Sequence, residues 1–395
     1  MSGLGGLTAR PADALLGLMT AFREDTRTSK IDLGVGIYKD DSGATPVMTS
    51  VAKAEGLILQ RQQTKAYEGP RGNADFCAAI EGFIFGDGAP EILEARTASF
   101  TTPGGCGALF LGVGLMKRMG AKSVWVSNPT WPNHPKLIQT QGLALREFRY
   151  AEDGRLAFDA MLEDVSKAEA GDGVILQGPC HNPTGIDLTP EQFSQVAALA
   201  TARGLIVMLD VAYHGFAKGL TEDMAGVRAF LKAAPEAMVS YSCSKNFGLY
   251  RERTGCFVLK GAEASAVAAA STHVAELART SYSMPPAHGS AIVATILGDA
   301  GLRAEWEAEL TDMRERMIGL RTGLADALVA KTGSNRLAEL ANQNGMFSQL
   351  PVTAEAAEAM RKEHGLYMPG SGRINIAGLK ATDTAQVAEI VAKYL

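Results

Sequence analysis

Three apolar runs in this chain end in groups that can do chemistry. Met238-Val-Ser-Tyr-Ser-Cys243 leads into Ser244 and Lys245, and Leu205-Ile-Val-Met-Leu209 ends on Asp210 with Tyr213 close behind. Val174-Ile-Leu-Gln177 opens into the turn-rich Gly178-Pro-Cys-His-Asn-Pro-Thr-Gly185, which carries Asn182. A lysine that follows a buried strand is poorly hydrated, and Arg251 and Arg253 lie just downstream. Desolvation and nearby positive charge both disfavour the ammonium form. The Lys245 amine is therefore expected to titrate below the usual lysine range and to serve as nucleophile or base. Asp210, at the end of a wholly apolar run, needs a cationic partner. The Lys245 segment alone is equally compatible with a structural lysine, so the case rests on what converges with it.

A fourth element is Thr101-Thr-Pro-Gly-Gly-Cys-Gly-Ala-Leu-Phe-Leu-Gly112, a glycine-rich turn between a strand and a helix that holds Gly105 and Cys106. Free N–H groups at a helix start suit a phosphate. By itself the turn is a weak signal, since a tight strand-to-helix connection accounts for it and it matches neither the P-loop nor the dinucleotide pattern. Arg253 is a suitable bidentate partner for the same phosphate.

Bringing these groups together takes a sheet. Segments 97–101, 123–127, 143–148, 174–177, 205–210, 238–243 and 255–259 read as strands, separated by stretches of helical spacing such as 190–203, with Phe193, Val196, Ala197, Leu199 and Ala200 on one side. The alternation predicts an α/β fold with a large, mostly parallel sheet covered by helices. In such sheets ligands bind beyond the carboxyl ends of the strands, where all of these polar groups fall. Residues 300–332 read as one long charged amphipathic helix leaving the sheet. A smaller α/β unit follows, with Gly345-Met-Phe-Ser-Gln-Leu350, a helix over 354–363, Arg373-Ile-Asn-Ile376 and a last helix started by a Thr382 or Asp383 cap. A helix over 11–23 and a strand-like stretch over 31–38 group with this unit. The expected division is a large domain over 45–310 and a small one built from 1–44 and 311–395.

Composition narrows the class. The chain has 395 residues, 46% apolar and 21% charged, with 43 acidic against 38 basic side chains. This balance, without a basic stripe, argues against nucleic acid as a partner. Cys77, Cys106, Cys180, Cys243 and Cys256 follow no metal or disulfide spacing, which favours a reducing compartment. The start lacks the apolar core of a signal peptide and no run approaches the length of a membrane span, so a cytoplasmic location is expected.

A low-pKa amine, a phosphate cradle, a buried carboxylate and a phenol together meet the needs of pyridoxal 5′-phosphate. At this level the chain resembles the class I aminotransferases of the aspartate and aromatic amino acid branch. The resemblance is carried by Asn182-Pro-Thr-Gly, Asp210-x-x-Tyr213, and Ser242-x-x-Lys245 with Arg253. It extends to Leu33-Gly-Val-Gly-Ile-Tyr-Lys39, Tyr67 with Gly69 and Gly72, Asn128-Pro-Thr-Trp-Pro-Asn-His134, Arg279 before Tyr282-Ser-Met-Pro-Pro286, and Ser371-Gly-Arg-Ile-Asn-Ile376.

The resemblance implies a fold of the pyridoxal-phosphate transferase type and a homodimer with shared sites. It makes Lys245 the Schiff-base lysine, Asp210 the partner of the pyridine nitrogen, and Asn182 and Tyr213 donors to the ring oxygen, with Trp131 stacked on the ring. Gly105, Cys106, Ser242 and Arg253 would bind the phosphate, joined by Tyr67 from a second subunit. Arg373 would clamp the substrate α-carboxylate, Arg279 from the neighbouring subunit would meet a distal carboxylate, and Gly36 would lie in the segment that closes over substrate.

The implied reaction is a ping-pong transfer of an amino group from an aromatic or dicarboxylic L-amino acid to a 2-oxo acid, with strict aspartate use as the alternative. Cys106 stands where a hydroxyl residue is common, Gln177 where a histidine is common, and Met284 in place of a polar residue. His134 and His181 read as structural. A competing reading, a serine acyl enzyme, uses Ser242-Cys-Ser-Lys245 with Lys331-Thr-Gly333. It requires Ser242 at a helix start and Lys331 on a strand.

Overall fold

The computed structural model describes residues 3–9 and 14–395. Seven strands form the central sheet: β1 (Thr97–Pro103), β2 (Ser123–Asn128), β3 (Ala144–Arg149), β4 (Gly173–Gln177), β5 (Ile206–Val211), β6 (Ala237–Ser242) and β7 (Thr254–Lys260). Their spatial order is β1-β7-β6-β5-β4-β2-β3. All neighbours run parallel except β7, which is antiparallel to β1 and β6. All seven strands expected for the sheet are present, with their ends shifted by two residues at most.

Side-chain alternation along the strands feeds two cores. Val174, Leu176, Val207, Leu209 and Val239 point to one face, where helix Pro190–Arg203 buries Phe193, Val196, Ala197 and Ala200. Ile175, Met208, Met238 and Phe257 point to the other, against Ala108, Leu111 and Leu115 of helix Gly104–Arg118. Because helices cover both faces, the strands read as continuous apolar runs. Helix Pro190–Arg203 has a full set of stop and start signals. The Thr189 hydroxyl accepts from the Gln192 N–H, the Gln192 side chain accepts from the Thr189 N–H, Pro190 opens the first turn, and Gly204 closes the helix at φ 65°.

The 33-residue helix Ala300–Thr332 is capped by Asp299, whose carboxylate accepts from the N–H groups of Gly301 and Leu302. Its first turns lie against the sheet's helices and loops through buried Trp306 and Leu310. Further along, buried Arg321 bonds the Gly345 carbonyl and the Ser348 hydroxyl of the C-terminal part. The helix therefore ties the sheet to that part. Phe347–Gln349 pairs antiparallel with Arg373–Asn375, and Ile31–Asp32 pairs parallel with Leu366–Tyr367, so the two chain ends share one small layer.

Two local expectations are corrected. Only Ile31–Asp32 of the strand-like 31–38 is a strand, because beyond it the carbonyls of Val35 and Ile37 accept from the Asn375 side chain instead of a ladder. The last helix, Thr384–Ala392, has no side-chain cap, since the Asp383 carboxylate accepts from the neighbouring Thr382 hydroxyl. The expected N-terminal helix is present as Ala14–Glu24, and residues 11–13 lie outside the described residues. Among the described residues no helix is long and apolar enough to cross a membrane.

Candidate active site

The carboxyl ends of β4, β5 and β6 meet in register: Gln177 lies beside Asp210, and Asp210 beside Ser240. One cavity opens there. Asn182, Asp210, Tyr213, Ser242 and Lys245 line it from the three strand ends, and Gly105, Cys106 and Arg253 from the glycine-rich side. Gly36 and Trp131 complete the wall, as do Gln177, Ser244 and Tyr250.

Lys245 sits in the loop after β6 and is partly buried, with its ammonium 5.1 Å from the centre of the Tyr213 ring. Desolvation lowers its pKa from the ordinary lysine value. The charges of Arg253 and Arg373 act in the same direction, and Asp210 opposes them. The loop is fixed from behind. The Asn246 carbonyl accepts from the Trp306 indole N–H at 2.7 Å, Phe247 stacks on Trp306 at 4.4 Å, and the Asn246 side chain donates to the Tyr241 hydroxyl at 3.0 Å. A nucleophile held this way loses little freedom when it reacts.

Asp210 is only 8% exposed, and its partner is His134, whose Nε2 lies 3.1 Å from Oδ2. A carboxylate only accepts, so Nε2 is the donor to Asp210, and Nδ1 pairs with the Thr130 hydroxyl at 2.8 Å. The reading of His134 as merely structural is therefore incomplete, because it orients the acid of the site. His181 is structural as expected. It is stacked on Tyr150 and bonded to Ser127 and Thr184, and burial, with the adjacent His134, pushes it down to about 3.

Asn182 links two more groups. Its Nδ2 donates to the Tyr213 hydroxyl at 3.2 Å, and its Oδ1 accepts from Arg373 Nη1 at 3.4 Å. Burial holds the Tyr213 phenol well above its ordinary range, so it is a hydrogen-bond donor at neutral pH. Arg373 is 6% exposed, lies over the Phe347 ring at 4.4 Å and donates to the Gly34 carbonyl. Its Nε is buried without a partner, which leaves a donor for an anion.

The glycine-rich turn forms a cradle. Gly104 has φ 68°, and a Cβ there would lie 2.7 Å from Arg253 Nη2; a Cβ on Gly255 would come within 2.4 Å of the Gly104 carbonyl carbon. Backbone N–H groups at the start of helix Gly104–Arg118 therefore face Ser242, Ser244 and the Arg253 guanidinium across a space that side chains would fill. Cys106 offers a thiol that burial keeps protonated, and its sulfur accepts weakly from Asn133. Amine, acid, phenol, amide and anion cradle thus fit pyridoxal 5′-phosphate on the geometry of the chain itself. The acyl-enzyme reading fails on the same geometry, because Ser242 ends a strand and Lys331 lies within a helix.

Tyr67, 88% exposed, and Arg279, also exposed and bonded to the Ser283 hydroxyl, stand outside this cavity. Two supporting residues carry no assigned role in the sequence reading, Trp306 and Asn246, although Asn246 directly follows Lys245 within the Ser242–Arg253 motif.

A mostly parallel sheet, a lysine at a strand end and an anion cradle fit the class of pyridoxal-phosphate enzymes. The comparisons specify which kind. Residues 28–391 match the model of the family described as aminotransferase class I and II. The chain is 44% identical over 390 residues to a tyrosine aminotransferase of Rhizobium meliloti (strain 1021), covering 98% of each, and 44% identical over 392 residues to an aspartate aminotransferase of Escherichia coli (strain K12), covering 98% of this chain and 99% of that one. A crystal structure of an aromatic-amino-acid aminotransferase from Burkholderia pseudomallei, covalently bound to pyridoxal phosphate, superposes with a TM-score of 0.96 at 35% identity over 100% of this chain and 99% of that one. The chain belongs to the class I and II aminotransferase family, and it is a pyridoxal-phosphate-dependent aminotransferase.

Proposed function

We propose that the protein moves the amino group between aromatic or dicarboxylic L-amino acids and a 2-oxo acid, 2-oxoglutarate foremost, by a ping-pong mechanism. The carrying observation is the convergence of Lys245, Asp210, Asn182 and Tyr213 beside an Arg373 with a free buried donor. Bound pyridoxal 5′-phosphate supplies an aldehyde that carries the amino group and a ring that takes up electrons released at the substrate α-carbon.

Lys245 would hold the cofactor between turnovers and, when free, would move the proton to and from the substrate α-carbon; its desolvated amine suits this task. The Asp210 carboxylate, steadied by His134, would pair with the ring nitrogen, Asn182 and Tyr213 would donate to the ring oxygen, and Trp131 would stack on the ring. Gly105 and Cys106 main-chain groups, Ser242 and Arg253 would hold the phosphate. Arg373 takes the α-carboxylate in a bidentate grip, and the Gly36 segment closes over it.

We place the work in a cytoplasmic homodimer. The exposure of Tyr67 and Arg279 outside their own cavity supports a second subunit that supplies Tyr67 to the phosphate and Arg279 to a distal carboxylate. In this reading a large domain, 45–310, carries the cofactor, and a small one, 1–44 with 311–395, closes over the substrate. Relatives named for both substrate classes support dual use.

The deciding experiment is kcat/KM for aspartate, tyrosine and phenylalanine with 2-oxoglutarate, in the wild type and in Arg279→Leu. Turnover of all three is expected, with the variant losing about 10–100-fold on aspartate through one charge-assisted contact and much less on tyrosine. Wild-type turnover of aspartate alone would mean a strict aspartate aminotransferase.

A further inference from the structure

Gln177, the last residue of β4, makes two hydrogen bonds, both to the main chain of a single residue. Its Nε2 donates to the Asn182 carbonyl at 2.9 Å, and its Oε1 accepts from the Asn182 N–H at 2.9 Å. The side-chain amide thus serves Asn182 as a neighbouring strand would, although Asn182 lies in a loop outside any ladder. The orientation of the amide follows from chemistry, since a backbone N–H requires an oxygen opposite it and a carbonyl requires a donor. A Glu in this position would set two acceptors face to face at the carbonyl.

Held by both main-chain groups, the Asn182 peptide aims its side chain between the Tyr213 hydroxyl and Arg373 Nη1. We infer that Gln177 is a positioning residue: its amide fixes the Asn182 backbone, and through it the hydrogen bond that Asn182 gives the cofactor ring oxygen and the placing of Arg373. This rests on the reading of Asn182 given above.

The test uses the holoenzyme with Gln177→Leu, Gln177→His, Asn182→Ala and the Gln177→Leu/Asn182→Ala double variant. It follows the pH midpoint of the cofactor's visible absorption, the Kd for pyridoxal 5′-phosphate and the apoprotein's melting temperature. A donor to the ring oxygen stabilises negative charge there, so its loss moves the midpoint upward. Asn182→Ala is expected to move it by about one pH unit, and Gln177→Leu by about half of that with kcat/KM down about tenfold. Gln177→His, which restores one donor, should recover part of the shift. The double variant should match Asn182→Ala alone, because Gln177 has nothing left to aim. A wild-type midpoint and Kd in Gln177→Leu, with only the melting temperature lowered, would overturn the inference, as would a shift that adds in full to that of Asn182→Ala. An unchanged midpoint in Asn182→Ala would overturn the Asn182 reading, and the inference with it.

Discussion

The two ends of the sheet each hold a lysine taken out of water, and only one of them faces a site. Lys245 lies at the carboxyl end of β6; Lys260, 7% exposed, closes β7 at the opposite end, beside an apolar groove lined by Ile206, Met238 and Leu259. Desolvation lowers the pKa of both. Their partners differ. The Lys260 ammonium donates to the Ala234 and Pro235 carbonyls, which stop helix Ala225–Ala233, so its charge is spent on closing that helix. The Lys245 amine has no hydrogen-bond partner among the described residues and looks instead at a phenol ring, a carboxylate and an anion cradle. A depressed pKa marks burial; convergence of complementary groups marks a site.

The sharpest break of this contrast is a pair of substitutions. Lys245→Ala should lower kcat by more than the roughly 10²–10⁴-fold typical of a lost proton shuttle, because covalent anchoring goes with it, while leaving the melting temperature nearly unchanged. Lys260→Met should do the reverse, costing about 1–3 kcal/mol of stability through two stranded carbonyls and leaving activity per folded molecule within about twofold. Equal loss of activity in both would erase the distinction. At the next level, removing the indole donor by Trp306→Phe should strand the Asn246 carbonyl and destabilise by about 1–3 kcal/mol, loosening the loop that carries Lys245. Urea melts would measure the first effect and kcat the second.

Amine labelling separates the lysines without mutation. Treating the apoprotein with an acylating reagent near pH 8 should modify Lys245 ahead of Lys260, whose ammonium is bonded to carbonyls, and added pyridoxal 5′-phosphate should protect only Lys245. Mass spectrometry of the peptides reads the ratio.

The smallest expected effect concerns His181. Its folded-state pKa is depressed to about 3, so between there and the unfolded value near 6.5 the unfolded chain binds the extra proton, and stability falls as pH falls through that window. Asp187, whose carboxylate accepts from the His181 N–H, is pushed up to about 6 by burial and contributes with the opposite sign below that pH. Comparing the pH slopes of wild type and His181→Asn isolates the histidine. The variant should lose less stability on acidification, and identical slopes would refute the assignment.

Much of the site was legible in the chain because it is built from strand ends. An apolar run that stops at Asp210 or before Lys245 is a local pattern, and so is the Gly104-Gly-Cys-Gly107 turn. The alternation of Val174, Ile175 and Leu176 between two cores makes the strands equally visible. The residues that support those groups were not legible in the same way. His134 reaches Asp210, and Trp306 reaches Asn246, across long stretches of chain whose meeting point depends on how helices pack, and no periodicity records it. The stretch after Asp32 misled for a related reason: its Gly34, Val35 and Ile37 carbonyls are satisfied by the Arg373 and Asn375 side chains, so an extended segment needs no ladder. Tyr67 and Arg279 were visible only through resemblance, since within one chain neither touches the cavity.

The central claim is that Lys245, and no other amine, holds the cofactor. Borohydride reduction of the holoenzyme followed by peptide mass spectrometry tests it directly. The account predicts one pyridoxyl phosphate group per chain, on Lys245. A label on Lys260 or another lysine, or none at all in protein that carries the cofactor's visible absorption, would contradict it.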